Sequence, residues 1–579
     1  MIKVDQLSFS FPQKDLFHNI SFTLKDGQHC AFIGTSGSGK STLLEMIADP
    51  ERYLYDGTIN IDPGCRIGYV SQFSKLEEAR EMTVFEYIAS DFIQLQSELD
   101  SIYVEMETST DMDALMERYQ TVLDAYIAIG GDDFEQNIKR KLNLANLDRH
   151  EKLLVSKLSG GEFKIIQVIK ELLHSPDLMI MDEPDVFLDF ENLNSLKNLI
   201  NSHKGTMLVI THSRFLLNHC FDKILHLENM ELQEFEGNYI DYNFSLLLKK
   251  IELQELAIAD AEELERNEKL INKLRADASV FTEASRGKSL KARIKIKERL
   301  EARQIKAPFV DIKQPEIRLT CEPEFEDAII LTLKDYSVSF DDILLEQVSF
   351  EINSHDKVAF IGPNGTGKTT LLRDIYHNAH DAIQINEAVK VAYLSQNNNE
   401  ILNESNTILR EFLDAGFPTN QAVAAHLLTY GFGEEYLTQK IGSLSGGEKN
   451  LLQIAKLASL NANLLLLDEP TSHLDTYSQL ALEKAISEYN GSVLMVSHDF
   501  YSIVNCVDYV LLIENKAVRK MSIRKFRKMI YEDHFGKDYL EIEQKKKTVE
   551  TKIAVALKES NITLARELSE ELEDLIKLL

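Results

Sequence analysis

The chain has 579 residues, 44% of them hydrophobic and 27% charged, with a formal net charge of −30. This is ordinary globular material, long enough for two or more full cores, and it excludes a disordered chain, a fibre and a protein drawn to phosphate backbones by its overall field. No run approaches the roughly 18 apolar residues that span a bilayer, and Met1-Ile2-Lys3-Val4-Asp5 enters strand-like alternation without a signal-peptide pattern, so the expectation is a cytoplasmic protein with no membrane partner. Cys30, Cys65, Cys220, Cys321 and Cys506 are scattered without a C-x-x-C pair, which argues against a zinc ribbon, an iron–sulfur cluster or a disulfide framework.

The first landmark is Gly34-Thr35-Ser36-Gly37-Ser38-Gly39-Lys40-Ser41, which satisfies G-x-x-x-x-G-K-[ST]. It follows the apolar run Cys30–Ile33 and leads through Thr42 into a helix-like Leu43-Leu44, the strand–loop–helix setting of a phosphate-binding loop. In such a loop the glycines let backbone N–H groups close around phosphates at a helix N-terminus. The lysine reaches the β- and γ-phosphates, and the final hydroxyl is a Mg²⁺ ligand. Further on come Gln72, then Leu158-Ser159-Gly160-Gly161-Glu162, then the strand-like Leu178–Met181 ending in Asp182-Glu183, and His212 after the strand-like Met207–Ile210.

The whole set recurs in the second half. Gly362-Pro363-Asn364-Gly365-Thr366-Gly367-Lys368-Thr369, with Thr370 behind it, follows Val358–Ile361. Gln396, Leu444-Ser445-Gly446-Gly447-Glu448, Asp468-Glu469 and His498 then repeat the order. Such a repeat is the signature of two copies of one module. The glutamines lie 324 positions apart, whereas the LSGGE motifs, the acidic pairs and the histidines are all 286 apart, so the first copy carries 38 extra residues. They fall within roughly 83–148, where Ile93, Leu95, Leu99, Ile102 and Val104, followed by Leu115, Tyr119 and Leu123, predict two packed helices forming an arm.

Between the copies, Leu246, Leu253, Leu256, Leu264, Ile271 and Leu274 share one stripe of a long helix. A small, polar break around Ser285-Arg286-Gly287 and a second apolar arc at Leu290, Ile294 and Leu300 predict a helical hairpin over 241–307 with its turn near Gly287. Between Ala284 and Lys306 nine basic residues (Arg286, Lys288, Lys291, Arg293, Lys295, Lys297, Arg299, Arg303 and Lys306) stand against Glu298 and Glu301, a local charge of +7. A solvated helix face and a nucleic-acid contact are the two readings of such a run. The Glu- and Lys-rich residues 536–579 predict a short helical extension with a break at Ser560-Asn561.

In order and identity these motifs resemble the ATP-binding cassette superfamily over both halves of the chain. The resemblance implies an α/β fold: two P-loop cassettes in tandem, 1–240 and 308–535, joined by the hairpin and closed head to tail as an intramolecular dimer in a monomeric chain. It also implies an ATPase whose ATP sites combine the phosphate loop of one cassette with the LSGGE of the other. One site would hold ATP through Gly34, Ser36, Gly37, Gly39, Lys40, Ser41 and Thr42 with Ser445, Gly446 and Gly447. The other would use Gly362, Asn364, Gly365, Gly367, Lys368, Thr369 and Thr370 with Ser159, Gly160 and Gly161. Phe11 and Phe340 are candidates to stack on adenine, with core aromatics as the alternative. Mg²⁺ would be held by Ser41, Gln72 and Asp182, or by Thr369, Gln396 and Asp468. Glu183 and Glu469 would deprotonate the attacking water, and His212 and His498 would contact the γ-phosphate.

Within the superfamily, the fused cassettes, the hairpin and the first-copy insertion look like the ABC-F family, ATPases that act on ribosomes. Glu236-Gly237-Asn238-Tyr239, Lys291-Ala292-Arg293 and Asp468-Glu469-Pro470-Thr471-Ser472-His473-Leu474-Asp475 carry that likeness. It implies a partner in the ribosome, with the basic hairpin, Arg286, Lys288, Lys291, Arg293, Lys295, Lys297 and Arg299, approaching rRNA and P-site tRNA near the peptidyl-transferase centre. Rescue of stalled synthesis, aid to initiation, ribosome assembly and ribosome protection against an antibiotic remain open. The rival readings are an ATP-binding subunit of a separately encoded transporter and a DNA-binding repair ATPase. The first copy departs from the family motif: Asp182-Glu183-Pro184-Asp185-Val186-Phe187-Leu188-Asp189 lacks its Thr, Asn and His, and Ser213 stands where Asp usually follows the histidine, so the two sites are expected to differ in rate.

Overall fold

The computed structural model describes residues 2–11, 14–71, 80–107, 111–278, 294–295, 315–322, 328–339, 343–514, 516–534 and 539–578. The chain forms two units, Met1–Asn238 with Lys313–Arg527, and Tyr239–Ile312 with Lys528–Leu579.

The first unit holds two copies of one α/β plan. The strands of the first copy are β1 (Ile2–Phe11), β2 (Lys14–Leu24), β3 (His29–Gly34), β4 (Asp56–Ile61), β5 (Ile67–Val70), β6 (Leu178–Asp182), β7 (Thr206–Ile210), β8 (Lys223–Glu228) and β9 (Glu231–Glu236). They form an antiparallel sheet β2-β1-β4 and a six-stranded sheet β5-β6-β7-β3-β8-β9, parallel except for the β8–β9 hairpin. The second copy has β10 (Ile329–Ser339), β11 (Ile343–Asn353), β12 (Lys357–Ile361), β13 (Ile383–Ile385), β14 (Val391–Leu394), β15 (Leu464–Asp468), β16 (Ser492–Val496), β17 (Tyr509–Glu514) and β18 (Ala517–Ser522). Its sheets, β11-β10-β13 and β14-β15-β16-β12-β17-β18, repeat the same order.

Every residue of β6, β7, β15 and β16 is buried. Central parallel strands are covered on both faces, which is why they read as unbroken apolar runs rather than alternating ones. Leu178, Ile180, Leu208 and Ile210 join the first core, and Leu464, Leu466, Leu494 and Val496 join the second.

The extra residues of the first copy build the arm. The helix Val84–Met106 opens with a Thr83/Glu86 capping box and runs 23 residues, whereas its counterpart Ile408–Asp414 runs seven. A second helix, Met112–Ala128, packs back along it. Val84, Ile88, Ala89, Phe92 and Ile102 are buried on the long helix, while Ile93 and Val104 are exposed, a correction to the face read from sequence. Phe92 stacks on Phe134 at 4.9 Å, which sets the helix rotation and carries the neighbouring Ile93 outward.

In the second unit the helix Tyr239–Ala278 begins seven residues before the first leucine of the stripe. Ile251 is buried there against Val549, Ile553, Ala556, Leu557, Ala565 and Leu572 of the C-terminal helices Tyr539–Lys558 and Ile562–Ile576. Of the expected stripe, Ile271 is buried, Leu246, Leu253 and Leu264 are half-buried, and Leu256 is exposed. The C-terminal break falls where expected: Ser560 is left-handed at φ 58° and Asn561 caps the last helix. Lys295 is exposed within the described pair 294–295, whereas Arg286, Lys288, Lys291, Arg293, Lys297, Arg299 and the turn near Gly287 lie outside the described residues.

Candidate active sites

Each phosphate loop runs from a core strand to a helix that starts at its lysine, Lys40–Ala48 or Lys368–His377. Gly39 and Gly367, the residues before those helices, have φ of 97° and 86°, a backbone that a Cβ would strain. Lys40 Nζ donates to the carbonyls of Gly34 and Thr35, both at 2.9 Å. Lys368 Nζ donates to those of Gly362 at 2.8 Å and Pro363 at 2.7 Å. Burial lowers the pKa of both lysines, against the opposing pull of Glu183 on Lys40 and of Glu469 on Lys368.

The acidic pairs stand at the ends of β6 and β15, beside these loops. Burial pushes Asp182 up to about 6, offset in part by the Ser41 hydroxyl, and pushes Asp468 up to about 6, offset in part by Thr369. Asp182 Oδ1 and both Asp468 carboxylate oxygens are buried without a hydrogen-bond partner among the described residues. A buried carboxylate with an unused oxygen next to a serine or threonine hydroxyl is the donor set of a hard cation, so these residues fit Mg²⁺.

The two glutamates share a left-handed backbone, with φ of 46° at Glu183 and 49° at Glu469. Their surroundings differ. Burial raises Glu183, but a hydrogen bond with His473 and the charges of His212 and Lys40 outweigh it, and the net shift is downward. Glu469 is raised by burial and by neighbouring Asp468. His212 is lowered by burial and Lys40, and His498 by burial and Lys368. His498 Nε2 stands 3.5 Å from Glu469 Oε1.

The cassettes meet at both loops. Asp475 Oδ2 accepts from the Ser36 amide at 3.1 Å, and Asp189 Oδ2 accepts from the Asn364 amide at 3.1 Å. Gly447 lies so close to Ser36 that an added Cβ would come within 2.3 Å of its Oγ, and Gly161 sits next to Asn364 and Phe187. Ser159 and Ser445 cap the LSGGE helices, paired with Glu162 and Glu448 in capping boxes. Thr35, Ser36, Tyr436, Gly447, Glu448 and Asp475 line one cavity of about 740 Å³, within the usual size of a small-molecule site.

Gln396 is exposed just beyond β14, and Phe11 is 44% exposed at the end of β1, edge-on to Phe9 at 5.0 Å. Gln72 and Phe340 lie outside the described residues. Asp189 and Asp475 are also site residues, and both recur at the 286-residue offset with Leu188 and Leu474 before them, although Asp185-Val186-Phe187 and Thr471-Ser472-His473 differ. Sequence reasoning missed Lys14, which donates to the Gly37 carbonyl at 2.9 Å, and the contact of His473 with Glu183 at 3.0 Å.

Two P-loop modules, each turning its phosphate loop toward the other's LSGGE, define an ATP-binding cassette ATPase. The sequence profile of the ABC transporter family matches residues 17–186 and 345–472, and the chain belongs to that family, as a tandem-cassette protein of its ABC-F branch. It is 29% identical over 531 residues to ABC transporter F family member 5 of Arabidopsis thaliana, covering 89% of this chain and 75% of that protein. It is 29% identical over 514 residues to the energy-dependent translational throttle protein EttA of Escherichia coli K12, covering 86% of this chain and 89% of that one. Among solved structures, an archaeal ribosome recycling factor, aABCE1, in complex with the ribosomal stalk protein aP1 matches at a TM-score of 0.52 and 17% identity, over 91% of this chain and 92% of that chain, a likeness of fold. The protein binds and hydrolyses ATP. No helix among the described residues is long and apolar enough to cross a membrane.

Proposed function

We propose that this ATPase is a translation factor that binds the ribosome with its cassettes closed on ATP and is released by hydrolysis. The observation that carries the closed state is the reciprocal bridge of Asp475 to the Ser36 amide and Asp189 to the Asn364 amide. Each holds the other cassette's phosphate loop where its LSGGE can meet the same nucleotide. Closure on ATP and reopening after hydrolysis make the nucleotide a timer. Similarity to the translational throttle protein supports the ribosome as partner, and the +7 segment between Ala284 and Lys306 supplies charge for rRNA or the P-site tRNA.

In each site the lysine neutralises the phosphates and the glutamate takes a proton from the attacking water. The histidine donates to the γ-phosphate, and the LSGGE serine and glycine amides bind it from the other side. Mg²⁺, held by Ser41, Gln72 and Asp182 or by Thr369, Gln396 and Asp468, would offset charge on the phosphate oxygens.

The test is sedimentation of lysate containing the Glu183→Gln, Glu469→Gln double variant with ATP in moderate salt. Turnover should fall by about 10²- to 10⁴-fold, the usual contribution of a general base, while ATP binding persists. The protein should then move into the ribosomal fractions and leave them when the basic residues between Arg286 and Arg299 are neutralised. Retention at the top of the gradient would overturn the ribosomal reading, and pelleting with membranes would favour a transporter partner.

A further inference from the structure

The loops that follow the two glutamates have the same backbone and different side chains. Phe187 and His473 occupy equivalent positions, 286 residues apart, and both are left-handed, with φ of 62° and 61°. Their rings meet edge to face at 5.3 Å where the cassettes join. His473 reaches across, and its Nδ1 lies 3.0 Å from Glu183 Oε2. An ionised carboxylate only accepts, so Nδ1 carries the hydrogen. A phenyl ring offers Glu469 no such donor. Glu469 relies on its own cassette: Oε2 accepts from the His498 amide at 3.3 Å, and Oε1 faces His498 Nε2 at 3.5 Å, too loosely for a hydrogen bond. The carbonyl of Phe187 instead accepts from Asn364 Nδ2 at 2.9 Å, tying that loop to the phosphate loop rather than to the carboxylate.

We infer that His473 is a positioning residue acting across the cassette interface on Glu183, and that the site containing Lys40 therefore hydrolyses ATP faster than the site containing Lys368. The inference rests on the assignment of Glu183 and Glu469 as the bases. In the step itself the water oxygen bonds to the γ-phosphorus while the bond from that phosphorus to the β,γ-bridging oxygen breaks. The electron pair leaves on ADP, and the water's proton passes to the glutamate. Glu183 held at Oε2 by His473 presents Oε1 in one orientation. Among the described residues Glu469 has no anchor from the opposite cassette, so it should be held less firmly in one orientation, and misorientation is costly in rate.

The experiment is rapid chemical quench of the full-length protein with both sites filled with ATP. Wild type should form ADP in two phases of equal amplitude. H473F should slow the fast phase by roughly ten- to a hundredfold and change the slow phase several-fold less, with ATP affinity, measured by equilibrium binding, within about twofold of wild type. H473Q, which can still donate a hydrogen bond, should recover part of the fast phase, and F187H should accelerate the slow one. A single phase in wild type, equal slowing of both phases in H473F, or no recovery by H473Q would overturn the inference. E183Q and E469Q are run alongside: if neither changes either phase, the assignment of the bases fails, an outcome distinct from those of the histidine variants.

Discussion

The two cassettes agree strand for strand and meet each other through unlike side chains. What is common to the two directions of contact is an aspartate on a partner amide, Asp475 to Ser36 and Asp189 to Asn364, both at 3.1 Å. Around that shared pair the copies diverge. Arg214 of the first cassette enters the second and pairs with Glu483 and, at 3.0 Å, with Asp499. Its equivalent 286 residues on, Phe500, is buried near Phe526 of its own cassette. A backbone amide is present whatever the side chain, so a contact to it survives divergence of the copies. Side-chain pairs need both partners and can exist in one direction alone.

The largest effect on this comparison should come from Arg214→Ala. Arg214 and Glu483 are 8% and 6% exposed, and Ser502 and Asn505 also donate to Glu483. Removing one partner of a buried pair costs about 3–5 kcal/mol because the other charge stays buried. Urea unfolding should show that loss, with Phe500→Ala costing a similar amount through its cavity alone. A double Arg214→Met, Glu483→Leu variant should regain most of the loss, since apolar replacement of a buried pair is often neutral. If the double variant is no better than the single one, the network's hydrogen bonds rather than its charge hold the interface.

A smaller effect separates the two LSGGE motifs. At Gly447 a new Cβ would meet Ser36 Oγ at 2.3 Å and the His473 carbonyl at 2.5 Å, and a backbone carbonyl cannot swing aside. At Gly161 the nearest atoms are at 3.3 Å. Gly447→Ala should therefore weaken closure at the Lys40 site by roughly tenfold, about 1.4 kcal/mol, and Gly161→Ala should weaken the Lys368 site by less than about threefold. Equal losses of ATP affinity would mean that both sites close tighter than this and that the difference is not functional.

How much of this could be read from the chain follows from where the information lies. The phosphate loops, acidic pairs and core strands were legible because each is a contiguous stretch whose chemistry or burial fixes its residue types. The arm was legible because two spacings, 324 and 286, disagree. The bridge from Ser36 to Asp475 spans 439 positions and that from Asn364 to Asp189 spans 175, and nothing local marks either pairing. Arg214 stood next to an expected Ser213 departure and was passed over for the same reason. What Tyr239–Ala278 packs against was not legible because its partner, the C-terminal helix pair, lies some 300 residues away in sequence; Gln254 Nε2, for instance, donates to the Leu557 carbonyl at 2.6 Å.

The smallest effect tests the arm, which the second cassette lacks. Reading its helix from apolar residues alone gave Ile102 and Val104 equal weight, yet Ile102 is fully buried and Val104 is 63% exposed. Two positions along a helix differ by about 200°, so both cannot face Met112–Ala128. Ile102→Val should cost about 1 kcal/mol by leaving a methyl-sized gap, and Val104→Ala should stay within about 0.5 kcal/mol. Both should leave ATP turnover unchanged, because the arm's extra residues lie between Thr83 and Phe134 and none of them joins a phosphate loop or an LSGGE motif. A stability loss confined to Val104→Ala would mean that the helix is rotated and that its exposed face is the packed one. A turnover loss from either would connect the arm to the ATP sites and make the insertion part of the asymmetry between the cassettes.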